Sequence, residues 1–131
     1  LIRSFKGTEA ERAKARSYMR QKRKTPKGAL THRMTSRIRH GLKGLRRGSG
    51  WQAALGYTVD DLRVHLERQF LTGMTWENIG QWHIDHIVPL ASFSYTSMDD
   101  EGFKAAWALT NLRPLWAGPN MVKHARRELL V

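Results

Sequence analysis

Apolar residues recur at helical spacing through the first half of the chain and in strand-like runs further on. From residue 29 to about 45, Leu30, Met34, Ile38, Leu42 and Leu45 follow one another at intervals of four, four, four and three. That spacing draws one apolar stripe and predicts an amphipathic helix packed on the rest of the protein. Thr58-Val59-Asp60-Asp61 opens a second such helix, with Leu62, Leu66 and Phe70 as its core face. Thr58 is its expected cap, and the two aspartates suit its N-terminal dipole. Residues 8–24 differ, because apolar positions are too few for a broad buried face. Thr8 followed three residues later by Glu11 predicts a capping box, and Arg20, Lys22, Arg23 and Lys24 suit the far end. This helix is expected to be exposed, or ordered only on a partner. Thr25-Pro26-Lys27-Gly28 reads as a break and Arg46-Arg47-Gly48-Ser49-Gly50 as a flexible joint.

Further on the period changes. Trp82-His83-Ile84-Asp85-His86-Ile87-Val88-Pro89-Leu90 carries β-branched residues and predicts a strand that ends or bends at Pro89. Alternation on a strand puts His83 and Asp85 on one side and Ile84 and His86 on the other. The connection from residue 91 to 101 is rich in Ser, Thr and Asp and reads as a surface loop. Asp99, Asp100 and Glu101 then begin a short helix through Trp107; helix-terminal acids are a commoner explanation for them than metal ligation. A second short strand is expected over residues 111–115, stopped by Pro114. Gly118-Pro119-Asn120 starts a last helix, Pro being tolerated in a first turn. The fold class expected is α+β: a mostly helical chain with basic N-terminal helices and a strand–loop–strand–helix unit near the C-terminus. Trp51, Trp76, Trp82, Trp107 and Trp116 are expected mostly in the core.

Charge divides the chain. Residues 1–50 hold 16 Lys and Arg against Glu9 and Glu11, a net of +14, whereas residues 51–131 hold seven basic and nine acidic residues, a net of −2. By length the chain is one compact domain overall, and a basic half beside a near-neutral one suggests that residues 1–50 form its nucleic-acid-facing arm and residues 51–131 its compact part. Within the arm, Arg33, Arg37, Arg39 and Lys43 lie off the apolar stripe, and Arg33, Arg37 and Lys43 are the candidate phosphate contacts. No apolar run approaches a membrane span, and no membrane partner is expected. The chain has no cysteine. It therefore forms no disulfide and no four-cysteine zinc ribbon, so no structural zinc is expected, and the cytoplasm is the default compartment.

The candidate chemistry sits in Asp85-His86. A carboxylate is a hard oxygen ligand for a divalent cation, and a neutral imidazole accepts a proton from water near neutral pH. An Asp-His pair alone fits an ordinary strand end just as well. Downstream, however, lies Thr110-Asn111-Leu112-Arg113-Pro114-Leu115-Trp116-Ala117-Gly118-Pro119-Asn120-Met121-Val122-Lys123. Asp85-His86, Asn111, Asn120 nine residues later and Lys123 together resemble the HNH endonucleases, the ββα-metal family, especially its compact phage-type members. Gly73-Met74-Thr75-Trp76-Glu77-Asn78-Ile79-Gly80 and Leu55-Gly56-Tyr57-Thr58 look like the same subgroup. The resemblance covers roughly residues 52 to 124, and residues 1 to 50 carry no motif of it.

The resemblance implies a DNA endonuclease with a one-metal mechanism, in host cytoplasm if phage-encoded. Asp85 and Asn120 would hold one Mg²⁺ or Mn²⁺. His86 would be the general base, and the products would carry a 5′ phosphate and a 3′ hydroxyl. Asn111 would tie the loop between the strands and so position His86. His83 either contacts the scissile phosphate or fills space beside Trp82. His124 follows Asn120 by four residues, one helical turn. In the histidine-rich branch of the family that spacing supplies two ligands, so His124 is a candidate auxiliary ligand for Mn²⁺, Zn²⁺ or Ni²⁺. The alternative is that it meets phosphate beside Lys123, Arg126 and Arg127, themselves candidate DNA contacts. A monomer is assumed. The competing classes are a non-catalytic basic nucleic-acid-binding protein and a ribosomal-type RNA-binding protein. Completeness of the four-residue set argues against the first, and the tryptophan-rich C-terminal part against the second.

Overall fold

Helix α1, Glu9–Arg23, begins with the expected capping box: the Thr8 hydroxyl accepts the Glu11 N–H at 3.1 Å, and the Glu11 carboxylate accepts the Thr8 N–H at 3.1 Å. The structure, a computed structural model, describes residues 8–44 and 50–118. No residue of α1 is buried. The helix is held by its cap, by its charge gradient and by Glu9, which accepts from Arg12 at 3.3 Å and Arg16 at 2.7 Å. Such exposed pairs contribute little each.

Helix α2, Pro26–Leu42, starts earlier than its apolar stripe suggested. The expected break falls at Lys24 and Thr25, between α1 and α2, and its later residues open α2. The Thr25 hydroxyl accepts the Gly28 N–H at 3.0 Å, and Pro26 occupies the first turn, where a missing N–H costs nothing. Gly28 is needed because a Cβ there would lie 1.8 Å from the Lys22 carbonyl oxygen. Leu30, Met34, Ile38 and Leu42 are all buried, as the spacing predicts; Leu45 lies outside the described residues. Internal bonds fix both ends of α2. The Lys27 ammonium donates to the carbonyls of Leu90, at 2.8 Å, and Phe93, and Arg63 donates to the Leu42 carbonyl.

Helix α3, Gly50–Leu55, starts at a glycine expected to belong to the joint. Helix α4, Val59–Glu67, carries a second capping box, with Thr58 and Asp61 bonded reciprocally at 3.1 and 2.9 Å. Leu62 and Leu66 are its buried face. Phe70 does not continue that face, because α4 ends at Glu67 and the ring turns into an aromatic cluster. Its centroid lies 5.1 Å from that of Trp76 and 5.2 Å from that of Trp82. His65, on α4, places Nε2 2.9 Å from the Leu112 carbonyl and so pins the helix to the following strand.

The sheet is two antiparallel strands, β1 (Trp82–His86) and β2 (Leu112–Trp116). β1 stops before Pro89, at His86. Pro114 does not stop β2; it sits within it, opposite Ile84. The Ile87 N–H bonds the Asn111 carbonyl and the Ala117 N–H bonds the Gln81 carbonyl, both at 2.9 Å. Antiparallel pairing alternates, so 83–115 and 85–113 exchange hydrogen bonds and 84–114 falls between them. A residue with no N–H is harmless there. Helix α5, Glu101–Ala106, follows the loop, with Asp100 as its N-cap. The Asp100 carboxylate accepts the N–H groups of Thr96 at 2.8 Å and Ser97 at 3.1 Å, which hold its pKa below the usual carboxylate value.

Among the described residues, then, the chain is α+β, with helices predominating over the one small sheet. Leu30, Met34, Ile38 and Leu42 of α2 share one core with Tyr57, Leu62, Leu66, Phe103, Trp107 and Leu112. The core thus extends across residue 50, where charge alone suggested a division. Among the described residues only α1 stands outside it as an arm. Trp51, Trp82, Trp107 and Trp116 are buried, while Trp76 is half-buried under the Arg63 guanidinium, 4.7 Å from its ring centroid. No described helix is long and apolar enough to cross a membrane.

Candidate active site

The hairpin sorts its polar side chains by face. Trp82, Ile84 and His86 lie on the side that carries buried Leu112, Pro114 and Trp116, while His83 and Asp85 share the other side with Arg113 and Leu115. Register then gives Asp85 a partner directly across the ladder: its Oδ2 accepts from Arg113 Nε at 2.9 Å. Both side chains are partly exposed, 34% and 45%, so the pair orients the carboxylate more than it stabilises the fold. Oδ1 of Asp85 has no partner among the described residues.

His86 turns inward. Its ring meets the Trp107 indole edge-on, with centroids 4.4 Å apart and planes at 90°. Its Nε2 is buried without a hydrogen-bond partner among the described residues, and so is Nε1 of Trp107. Burial pushes the His86 pKa below the ordinary imidazole value, and the Asp85 carboxylate pulls it partly back. The imidazole is therefore neutral at pH 7 and can accept a proton. His83 is also lowered, first by burial and then by the positive charge of Arg39.

Arg39 belongs to α2. It lines a cavity of about 90 Å³ together with Thr35, His83, His86 and Trp107, so this helix forms one wall of the site. A wider surface groove of about 360 Å³ adjoins it along α2, lined by His32, Thr35, Ser36, Arg39, His40 and Lys43. Thr35 and Arg39 border both.

The turn after β1 is clamped by Asn111. Its Oδ1 accepts the Val88 N–H at 2.7 Å, and its Nδ2 donates to the Val88 carbonyl at 3.2 Å and the Ala106 carbonyl at 2.8 Å. Asn111 is buried, 8% exposed. Together with the Ile87–Asn111 backbone bond, these hold the two residues that follow His86 against the start of β2 and the end of α5.

The hairpin thus carries His83 and Asp85 on one face and His86 on the other, with Asn111 clamping the turn after β1. Of the candidate DNA contacts, Arg33 is exposed, Arg37 is half-buried and Lys43 lines the groove. Asn120, Lys123, His124, Arg126 and Arg127, with the last expected helix, lie outside the described residues. Four neighbours of the site were not assigned to it from sequence: Arg39, Thr35, Trp107 and Arg113. Arg113 was within reach, because a correct pairing of the two strands would have set it opposite Asp85. The other three reach the site only through tertiary packing.

No protein-family model matches the chain, and no solved structure matches it. A stretch of 71 residues is 38% identical to an uncharacterized protein of Acanthamoeba polyphaga mimivirus, covering 53% of this chain and 30% of that protein. The viral relative carries no described activity to transfer.

A divalent ion fits the hairpin as far as Asp85 can test it. One carboxylate oxygen is held by Arg113, and the other has no partner among the described residues, which suits it to a single hard-ion bond. Mg²⁺ needs only one or two protein carboxylates, since water completes its shell. Among the described residues, no three His, Cys, Asp or Glu side chains converge as a cage.

Proposed function

We propose that this protein is a metal-dependent DNA endonuclease of the HNH type. The observation that carries the reading is His86: a neutral imidazole with an unpartnered Nε2, beside a carboxylate and at the edge of a cavity that also receives Arg39. His86 takes the proton from the attacking water. Asp85, with Asn120 from the C-terminal segment, would hold the ion. When bound, Mg²⁺ or Mn²⁺ would supply Lewis-acid stabilisation of the phosphate and the leaving 3′ oxygen. Asn111 keeps His86 in place by fixing Ile87 and Val88. Cleavage leaves a 5′ phosphate and a 3′ hydroxyl. Asp85 and His86 project from opposite faces of β1, so a substrate engaging both would have to reach around the strand end.

The assay is plasmid nicking with Mg²⁺. Relaxed circles or linear product are expected, and EDTA should abolish them. Intact supercoils at saturating Mg²⁺ and Mn²⁺ would leave the second reading, a basic DNA-binding protein without catalysis. The Asp85–Arg113 bond favours that alternative, because it gives the carboxylate a structural partner.

DNA is the proposed partner on either reading, and α1 is where the arm meets it. Removing residues 1–23 should weaken DNA binding and flatten its salt dependence, by roughly 0.9 in log–log slope for each phosphate that is no longer neutralised. The deletion must stop before Thr25, since Thr25 caps α2 and Lys27 anchors the helix to the loop after β1. An unchanged slope in a salt titration would show that the arm does not touch phosphate.

A further inference from the structure

The cations of the folded unit divide into engaged and unengaged. Lys27, Arg63 and Arg113 are occupied by the Leu90 carbonyl, the Leu42 carbonyl and the Asp85 carboxylate respectively. The side chains of Arg33, Arg37, Arg39, Lys43, Arg68 and Lys104 have no hydrogen-bond or ion-pair partner among the described residues, and of these Arg39 and Lys43 border the groove along α2. They stand four residues apart, about one helical turn of 5.4 Å. That is close to the separation of neighbouring phosphates on one strand. Between them lies His40, whose Nδ1 sits 2.7 Å from the Ser36 carbonyl, which leaves Nε2 to face a ligand.

The groove is not isolated from the hairpin. Arg39 and Thr35 also wall the cavity where His86 Nε2 and Trp107 Nε1 lack partners among the described residues. A phosphate at that junction would meet the Arg39 guanidinium, a shape that pairs with two phosphate oxygens at once.

We propose that the face of α2 bearing Ser36, Arg39, His40 and Lys43 is a track for the phosphates of one DNA strand, and that Arg39, common to track and cavity, holds the phosphate nearest His86. The track binds DNA whether or not the chain cleaves it. Only the placement of the phosphate beside His86 rests on the endonuclease reading. The groove runs along α2 from His32 to Lys43 and meets the hairpin cavity at Thr35 and Arg39. A core helix from outside the Asp85–Asn120 segment would then decide where along the backbone the site engages.

The test uses the full chain and a fluorescein-labelled duplex in EDTA, so that binding is read without turnover. Anisotropy titrations at several salt concentrations compare Arg39→Ala, Lys43→Ala and Arg33→Ala with the parent. Arg33 is exposed on α2 but lines neither groove nor cavity. Arg39→Ala and Lys43→Ala should each lower the salt slope by about 0.9, and Arg33→Ala by much less. An unchanged slope for Arg39→Ala, or an equal fall for Arg33→Ala, would overturn the track. Nicking at saturating DNA with Mg²⁺ reads the second half: Arg39→Ala should lower the maximal rate at least tenfold. A parental rate for Arg39→Ala would remove it from the scissile phosphate. If the parent nicks nothing while the slopes fall as expected, the endonuclease reading fails and the track stands.

Discussion

His86→Ala should cut the rate of Mg²⁺-supported plasmid nicking by about 10²–10⁴-fold, the usual cost of removing a general base. The protein should remain folded and bound to DNA. Among the described residues His86 makes no hydrogen bond through Nε2, so its removal leaves none of them unpaired at that atom. The stability cost is the edge-on packing against Trp107, worth about 0.5–1.5 kcal/mol for an aromatic pair. A thermal melt and an anisotropy titration in EDTA separate these effects. Nicking at the parental rate by a folded variant would remove His86 from the mechanism. A fall in nicking matched by an equal fall in DNA affinity would make His86 a DNA-binding residue rather than a base.

Asn111→Ala is expected to have the largest effect on stability. Three side-chain hydrogen bonds disappear together, and the Ala106 carbonyl is left in a fully buried residue without its donor. Net bonds are worth about 1 kcal/mol each, and an orphaned buried group costs about 1–3 kcal/mol more. A destabilisation of roughly 4–6 kcal/mol follows, enough to lower the melting temperature by about 10 °C or more at this chain length. Nicking should fall as well, because Ile87 and Val88 would no longer be fixed behind His86. Asn111→Asp keeps an acceptor for the Val88 N–H but removes both donors, so it should also destabilise, through the two carbonyls. If Asn111→Ala melts with the parent, the clamp is not what holds the turn.

Local physics explains what was legible in the sequence. The capping boxes at Thr8–Glu11 and Thr58–Asp61 depend on residues three apart, and both are present. The stripe Leu30, Met34, Ile38 and Leu42 depends on one helix's own periodicity, and all four residues are buried. The alternation that sends His86 inward and Asp85 outward is a property of any strand, and it too follows from the chain alone. Where local reading missed, a distant partner decided the outcome. Thr25-Pro26-Lys27-Gly28 reads as a break, and the helices do part at Lys24–Thr25, but Pro26, Lys27 and Gly28 already belong to α2, with Lys27 held by carbonyls more than sixty residues away. Phe70 fits the period of α4, but Trp76 and Trp82 offer its ring a better surface. Pro114 is a strand breaker by composition and harmless by register.

The candidate site divides in the same way. Asp85, His86 and Asn111 drew attention as residue types at a spacing, and spacing is written in the chain. The Asn111 clamp, the Asp85–Arg113 pair and the wall that Arg39 and Trp107 build around His86 required strands and helices to meet from distant parts of the chain. The sequence alone determined the chemistry available and the faces on which it would lie. Only tertiary packing decided which cation stands beside the imidazole, because burying the Leu30–Leu42 stripe against the common core sets the orientation of α2 and thereby carries Arg39 to the hairpin.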